Sequence, residues 1–393
     1  MRIVHVATLI SPHGEYGGPV RVACRQVEEL RHRGHQAILT GSHKGFQAAT
    51  GPQEFDGAPV RLFRAYNPLP TLGFATTIAP GLFAWFLRNR KNFDVVHIHL
   101  ARDLVTLPIA WLCAMFRIPY VLQTHGMIVP SPRLLARILD AIAVKRVLHS
   151  AKAILHLRPV EADEIEAVAG RSLPTVQVPN GLPTPPSVPA PQPEHPAVLF
   201  LARLHPRKQP MAFVEAARQL HAHHPEVDFT LLGPDEGEGD RVTQAIATTP
   251  LSGRLQWNGP VEPTAVTEAI SKCSVFVLPS RNEPFPMSVL EAMACGRPVV
   301  INHDCGLAPL VQEYGAGIVC DRSGPELAEA VDQLLKDADR RDRMGRAGQR
   351  LIREELSIRR VGDVLDQIYS KGVGDSTPRG TASDKGKPPA CES

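Results

Sequence analysis

The sequence predicts an α/β protein of two doubly wound, Rossmann-like domains that face a central cleft. Short apolar runs alternate with helical patterns through the first half of the chain, a proline-rich stretch interrupts them, and the same rhythm then resumes. At 393 residues the chain is long enough for two domains, and its 43% hydrophobic content is ordinary for a globular protein.

In the first half, strand-like runs occupy 3–8, 36–40, 60–64, 94–99, 120–123 and 153–157, with helical patterns at 20–33, from Asp103, at 133–149 and at 160–168. Val176-Gln-Val-Pro-Asn180-Gly181 reads as a last strand and turn. Such alternation gives parallel strands with crossover helices, so 1–178 forms an N-terminal Rossmann-like domain. Residues 179–196 form the linker, because prolines at 183, 185, 186, 189, 191, 193 and 196 exclude regular structure. The second half has strands at 197–202, 228–232, 255–258, 274–278, 298–302 and 317–319, a helix from Met211, and a long helical stretch over 325–370. Residues 197–370 therefore form a C-terminal domain with terminal helices. The tail 371–393, rich in Gly, Ser, Thr, Pro and Lys, is expected to be disordered and without catalytic role.

Composition narrows the function. Seven cysteines (Cys24, Cys113, Cys273, Cys295, Cys305, Cys320 and Cys391) form no Cys-x-x-Cys pair, which argues against a disulfide framework or zinc site and for a reducing cytosol. The N-terminus reads as a buried strand and lacks the features of a signal peptide. The longest apolar candidate, Leu104 to Met115, falls short of the roughly 18 to 20 residues that span a bilayer. Net charge is +3, but 1–178 holds 20 Lys and Arg against 12 Asp and Glu, and 179–393 holds 23 against 28. No basic run interleaved with aromatics points to nucleic acid, so an anionic membrane surface or phosphorylated acceptor fits the basic half better. A cytoplasmic protein, peripheral on the inner membrane face, is the expectation.

Glu283 and Glu291 stand eight positions apart in Ser280-Arg-Asn-Glu283-Pro-Phe-Pro-Met-Ser-Val-Leu-Glu291-Ala-Met-Ala-Cys-Gly296-Arg-Pro298. The pattern predicts a strand to 278, a loop over 281–286 and a helix over 287–295, with Glu283 in the loop and Glu291 on the helix. The open N–H groups at such a helix start favour an anion, and the two carboxylates can accept hydrogen bonds from hydroxyls of a sugar and a ribose. A solvated charge pair is the plain alternative. Pro284 and Pro286 have no N–H, which leaves Phe285, Met287 and Ser288 as donors there.

Arg203, Arg207 and Lys208 lie just past the strand at 197–202, where open α/β sheets bind ligands, and a diphosphate needs that charge. Gly17-Gly18-Pro19 lets backbone approach a bound group, although it is no dinucleotide fingerprint. His125 follows the strand ending at Gln123 and faces the cleft. His97 and His99 share a strand face by the period of two; with no carboxylate ligands beside them they read as strand residues, and no metal site is expected. On the helix 133–149, Leu134, Leu135, Ile138, Leu139 and Ile142 form one stripe beside Arg133 and Arg137. Packing against the sheet is the default explanation, and a membrane-seeking face the alternative.

The Glu spacing and the Glu-Ala-Met-Ala-Cys-Gly-Arg-Pro run after it resemble the signature of retaining glycosyltransferases of family 4, and the resemblance extends from the first strand to about residue 370. It implies a GT-B fold and transfer of a sugar, with retention, from a nucleoside-diphosphate sugar to a hydroxyl acceptor (a glycan, a lipid-linked group or a small molecule). Bacterial polysaccharide, glycolipid or glycoconjugate synthesis is the implied setting. It further implies that Arg203 and Lys208 clamp the diphosphate, that Gly18 reaches the donor phosphate, and that the loops 233–235 and 259–261, with Val261, lie near the nucleotide. His125 and Glu283 would contact the transferred sugar and Glu291 the ribose, with no cofactor beyond the co-substrate and no bound metal. The chain departs from the family after Val300, where Asn302-His-Asp-Cys305-Gly306-Leu-Ala-Pro309 has one glycine and no Glu in place of a Gly-Gly-x-Pro-Glu-type loop. A sugar-nucleotide epimerase on the same fold and a non-catalytic donor-binding subunit are the competing readings.

Overall fold

A computed structural model describes residues 1–12, 17–47, 51–69, 75–186, 191–251, 253–321 and 324–374. Linker residues 187–190 and tail residues 375–393 lie outside the described residues.

The first half runs β1 (Arg2–Ile10), α1 (Gly17–His32), β2 (Gln36–His43), β3 (Glu54–Phe55), β4 (Ala58–Arg64), α2 (Pro80–Asn89), β5 (Val95–His99), α3 (Thr106–Phe116), β6 (Tyr120–Gln123), α4 (Leu134–Leu139), α5 (Lys145–Ser150), β7 (Ala153–His156), α6 (Pro159–Ala169) and β8 (Thr175–Gln177). Its eight strands lie in the order β3-β4-β2-β1-β5-β6-β7-β8, parallel except for the β3–β4 pair. The second half runs β9 (Ala197–Leu201), α7 (Pro210–His221), β10 (Asp228–Leu232), α8 (Gly239–Ala247), β11 (Leu255–Trp257), α9 (Val266–Ser271), β12 (Val275–Leu278), α10 (Met287–Ala294), β13 (Val299–Asn302), α11 (Ala308–Tyr314), β14 (Gly317–Cys320), α12 (Gly324–Lys336), α13 (Ala338–Glu354) and α14 (Ile358–Gly374). Its six strands lie in the order β11-β10-β9-β12-β13-β14. Central strands such as β12, buried along its whole length, are covered by helices on both faces, which is why they read as unbroken apolar runs.

Two expectations need correction. The long helical stretch over 325–370 is three helices; Asp337 breaks it and caps α13 by accepting from the Arg340 N–H at 2.8 Å. The last of the three, α14, leaves the second domain and returns to the first. Its apolar positions Ile358, Val361, Leu365 and Tyr369 are buried with Ile3, Val27 and Leu39, and Arg33 of the first domain pairs with Asp363 at 2.8 Å and Asp366 at 3.0 Å. Leu182 at the start of the linker bridges to Ser357 just before α14, so the two crossings between the domains run side by side.

The 133–149 segment is also not a sheet-packed amphipathic helix of even pitch. Between α4 and α5 the residues Asp140–Val144 form a π-helical turn, and Asp140 is buried against Arg102, at 2.8 and 3.0 Å. Val144, Val147 and Leu148 face the core instead, leaving Leu134 and Ile142 each 71% exposed and Ile138 44% exposed. No helix among the described residues is long and apolar enough to cross a membrane.

Candidate active site in the interdomain cleft

The second sheet has its switch point between β9 and β12, the two strands from which the order runs in opposite directions. A crevice opens at the carboxyl ends of such a pair, and ligands of doubly wound sheets bind there. The residues just past β9 are Arg203, Arg207 and Lys208; the loop after β12 carries Glu283. Chain segments 75 residues apart are thereby brought into contact.

Glu283 is buried and its carboxylate forms an ion pair with the Lys208 ammonium, with Arg207 a further 3.6 Å away. Arg207 thus places a second cation beside Glu283. Burial pulls the Lys208 pKa down, and the attraction of Glu283 opposes this only in part. Arg203 pairs with Glu236 at 2.6 Å in a half-exposed position, where such a pair contributes little and exchanges readily.

The Glu283 loop is held by the segment that departs from the family pattern. Gly306 donates its N–H to the Glu283 carbonyl at 2.8 Å, and any Cβ there would collide with the Pro284 carbonyl oxygen. Asn302 donates from its side-chain amide to the Pro279 and Ser280 carbonyls at 2.7 and 2.9 Å, and the Asn282 N–H donates to Asp304 at 3.0 Å. The single glycine is placed where close approach requires it. Phe285 is buried in the second core, while Met287 and Ser288, half-buried, open α10 and present the amides that no preceding turn can satisfy. Val261, in the loop after β11, is half-buried against the same core.

Glu291 lies one turn further along α10 and meets the other domain. Arg25 of α1 donates to its carboxylate at 3.0 Å and Arg21 approaches to 3.8 Å. Around them is a cavity of about 400 Å³ between the domains, lined also by Thr184, Ser271 and Gln349. The sequence offered a faint sign of this in two arginines four positions apart on α1, one helix face, but the carboxylate they meet is 266 residues away.

Across the cleft, Gly17 and Gly18 form the first turn of α1 and not the preceding loop. Gly18 has no positive φ and a Cβ added to it meets nothing within 4 Å. The fold therefore tolerates alanine here. Gly18→Ala is expected to leave thermal stability unchanged or raise it by up to about 1 kcal/mol, while lowering turnover at least tenfold if a phosphate comes close to this backbone. A melting curve together with an initial rate checks both, and full activity would remove Gly18 from the donor site.

His125 follows β6 with φ of 49°, and a Cβ on the neighbouring Gly126 would lie 3.6 Å from Pro284, so this loop abuts the Glu283 loop of the other domain. Glu161, buried at the start of α6, fixes it by accepting from the Thr124 hydroxyl at 2.5 Å, the Gly126 N–H at 2.6 Å and the Leu157 N–H at 2.8 Å. By sequence Glu161 is one of four carboxylates on this helix, with nothing to set it apart from Asp163, Glu164 and Glu166. Burial pushes the His125 pKa down to about 3, so the ring is neutral. His97 and His99 are fully buried and are joined by His5 of β1, with one ring nitrogen of each within 4.8 Å of the others.

A family model described as Glycosyl transferases group 1 matches residues 186–351, and one described as Glycosyl transferase 4-like domain matches 17–181. The chain is 30% identical over 244 residues to a D-inositol 3-phosphate glycosyltransferase of Paenarthrobacter aurescens, covering 58% of this chain and 60% of that one. It is 30% identical over 177 residues to an alpha-D-kanosaminyltransferase of Streptomyces kanamyceticus, covering 45% of this chain and 46% of that one. The chain thus spans about half to three fifths of the length of these relatives. Among solved structures, Anabaena HepE in complex with UDP and glucose superposes with a TM-score of 0.73 over 94% of this chain and 100% of that one, at 19% identity.

Proposed function

From the premise that the chain belongs to the group 1 glycosyl transferases and has the GT-B fold, we propose that it moves a sugar from a nucleoside-diphosphate sugar to a hydroxyl acceptor with retention at the anomeric carbon. Synthesis of a bacterial polysaccharide, glycolipid or glycoconjugate is the setting we infer. The observation that carries this is the pairing of Lys208 with Glu283 at the switch point, in the loops that also carry Arg203 and lead into α10. Two cations and the amides of Met287 and Ser288 suit the charge that develops on a departing diphosphate, and fixed charges of this kind dominate such catalysis. Glu283 is then the sugar's partner.

The ion pairs supply a sequence of events. An arriving diphosphate draws Arg203 from Glu236 and Lys208 from Glu283. The freed Glu283 carboxylate accepts hydrogen bonds from sugar hydroxyls, and His125 approaches the same sugar from the opposite wall. On the nucleoside side, Glu291 faces a cavity within the size range of small-ligand pockets and accepts from the ribose hydroxyls, with Val261 packing near the base. Because Arg203 and Lys208 supply positive charge at the phosphates, turnover is expected to survive EDTA.

The test is turnover. Purified protein incubated with labelled UDP-, GDP- and ADP-sugars and a panel of alcohols is expected to yield a glycoside whose anomeric configuration, read by proton NMR, matches the donor. An isomerised donor formed without acceptor would indicate an epimerase, binding without turnover a donor-binding subunit, and loss in EDTA restored by Mg²⁺ a metal-dependent reaction.

The exposed stripe of Leu134, Ile138 and Ile142, flanked by the exposed cations Arg133, Arg137, Lys145 and Arg146, suits an anionic membrane surface that carries the acceptor. Replacing the three apolar residues with serine is expected to abolish sedimentation with anionic vesicles. Wild-type binding should weaken as salt shortens the Debye length below about 10 Å. Equal sedimentation of wild type and triple variant would count against this face.

A further inference from the structure

The turns after β6 and β7 stand side by side, because the two strands are parallel neighbours. The first carries His125 and the second Arg158, and Glu161 ties them together: its carboxylate accepts from the Gly126 and Leu157 N–H groups. The Arg158 carbonyl accepts from the Glu161 N–H at 3.0 Å and from His156 Nδ1 at 2.9 Å. The backbone at Arg158 is thus fixed.

From this turn the Arg158 side chain crosses to the second domain. Its Cδ lies 2.6 Å from where a Cβ on Gly306 would stand, and Gly306 is the residue whose N–H holds the Glu283 carbonyl. Glycine at 306 therefore leaves room for Arg158 as well as for the Pro284 carbonyl. Since Gly126 abuts Pro284 from the neighbouring turn, Arg158 and the His125 loop close on the same short stretch of the second domain.

What sets Arg158 apart is the lack of a partner. Five arginines among the described residues have a buried guanidinium nitrogen with no hydrogen bond. Four of them bond through another nitrogen: Arg25 to Glu291, Arg218 to Ala245, Arg297 to Pro191 and Arg341 to Leu334. Arg158, half-buried, has neither a side-chain hydrogen bond nor an ion pair among the described residues. The carboxylate nearest in sequence, Glu161, is spent on the Thr124 hydroxyl and the Gly126 and Leu157 N–H groups. A cationic group stripped of water with nothing in return costs free energy, and an anion arriving between the domains offsets that cost.

The charge balance of the opposite wall leaves such an anion underpaired. Arg203, Arg207 and Lys208 stand against Glu236 and Glu283, so a single positive charge remains there. The diphosphate of a nucleotide sugar carries a negative charge on each phosphate, and a uronic acid sugar adds a carboxylate. Arg158 supplies a further positive charge from the first domain, and its planar fork of N–H donors matches the edge of a phosphate or a carboxylate.

We propose that Arg158 is a donor-binding residue whose guanidinium takes an oxyanion of the nucleotide sugar, either the diphosphate or a carboxylate on the transferred sugar. The identity of the ligand rests on the functional reading above, whereas the unpaired cation at the domain contact does not. Because Arg203 and Lys208 belong to the second domain and Arg158 to the first, the donor's charge is then held from both sides of the cleft.

Arg158→Gln keeps a Cδ against Gly306 and removes the charge. Titration calorimetry with UDP, GDP and ADP reads the diphosphate; UDP-glucuronic acid and GDP-mannuronic acid, compared with UDP-glucose and GDP-mannose, read the carboxylate. A loss of about tenfold for a free nucleoside diphosphate, the worth of one charge-assisted hydrogen bond, places Arg158 on the diphosphate. Unchanged diphosphate affinity with a tenfold loss confined to the uronic acid donors places it on the sugar. Arg158→Lys keeps the charge without the fork and is expected to lose less; it carries the same comparison if circular dichroism shows Arg158→Gln unfolded. Wild-type affinity for every one of these ligands in both variants, while Lys208→Ala binds them more weakly, would overturn the proposal alone. A wild type that binds none of the nucleotides would remove the functional reading and the proposal with it.

Discussion

Glu283→Gln is expected to lower turnover by about a hundredfold or more while nucleoside-diphosphate affinity stays the same or tightens. On the proposed function the carboxylate has two partners in succession. Before the donor arrives it neutralises Lys208, whose ammonium is already destabilised by burial; afterwards it accepts from the sugar, a contact strengthened as positive charge grows at the anomeric carbon. Glutamine keeps the shape of the loop, since the Gly306 bond goes to the backbone carbonyl of residue 283 and not to its side chain. It removes the competitor for Lys208, which is then free to meet phosphate. Stability should fall, because Lys208 is left buried without its counter-charge, a loss of about 3 to 5 kcal/mol where such pairs are dry. Titration calorimetry with nucleoside diphosphate separates the two effects. A tenfold loss of that affinity would mean that Glu283 holds the phosphate site together and does not contact the sugar alone.

How much of this was legible follows from where each signal sits in the chain. Strands such as β6 and β10 were readable to the residue, because strands buried on both faces are short apolar runs bounded by turn residues. Local chemistry was equally visible: the loop and helix that carry Glu283 and Glu291 lie within one continuous segment. Short helices such as α9, whose six residues leave little room for a period, and α8, with two buried positions among nine, gave no usable pattern. Partners distant in sequence gave none at all. The Lys208 pairing of Glu283, the Arg25 pairing of Glu291 and the meeting of Tyr369 with His97 join segments 75, 266 and 272 residues apart, and periodicity within a window carries no information about such contacts. The return of α14 to the first domain belongs to the same class, since its apolar stripe shows that it packs but not against what.

Glu291→Ala is expected to weaken the sugar nucleotide and the free nucleoside diphosphate alike, by about tenfold to a hundredfold, which is what one or two hydrogen bonds from ribose to a charged acceptor contribute. The structure adds a second variant that makes this sharper. Arg25 occupies the Glu291 carboxylate across the domain boundary, with both side chains largely buried at 18% and 13% exposure. Ribose hydroxyls and Arg25 therefore either compete for Glu291 or share it. Competition predicts that Arg25→Ala tightens nucleoside-diphosphate binding, since the carboxylate no longer has to be released. Sharing predicts a loss, because the guanidinium then orients Glu291 toward the ribose. Arg25 reaches a single oxygen of Glu291 and so leaves the other for a ligand, which favours sharing. The expected result is a loss of about threefold to tenfold for Arg25→Ala, and no further loss when it is combined with Glu291→Ala, because the arginine acts only through the carboxylate. Additive losses in the double variant would show Arg25 contacting the nucleotide on its own, and unchanged affinity in Glu291→Ala would remove the ribose contact altogether.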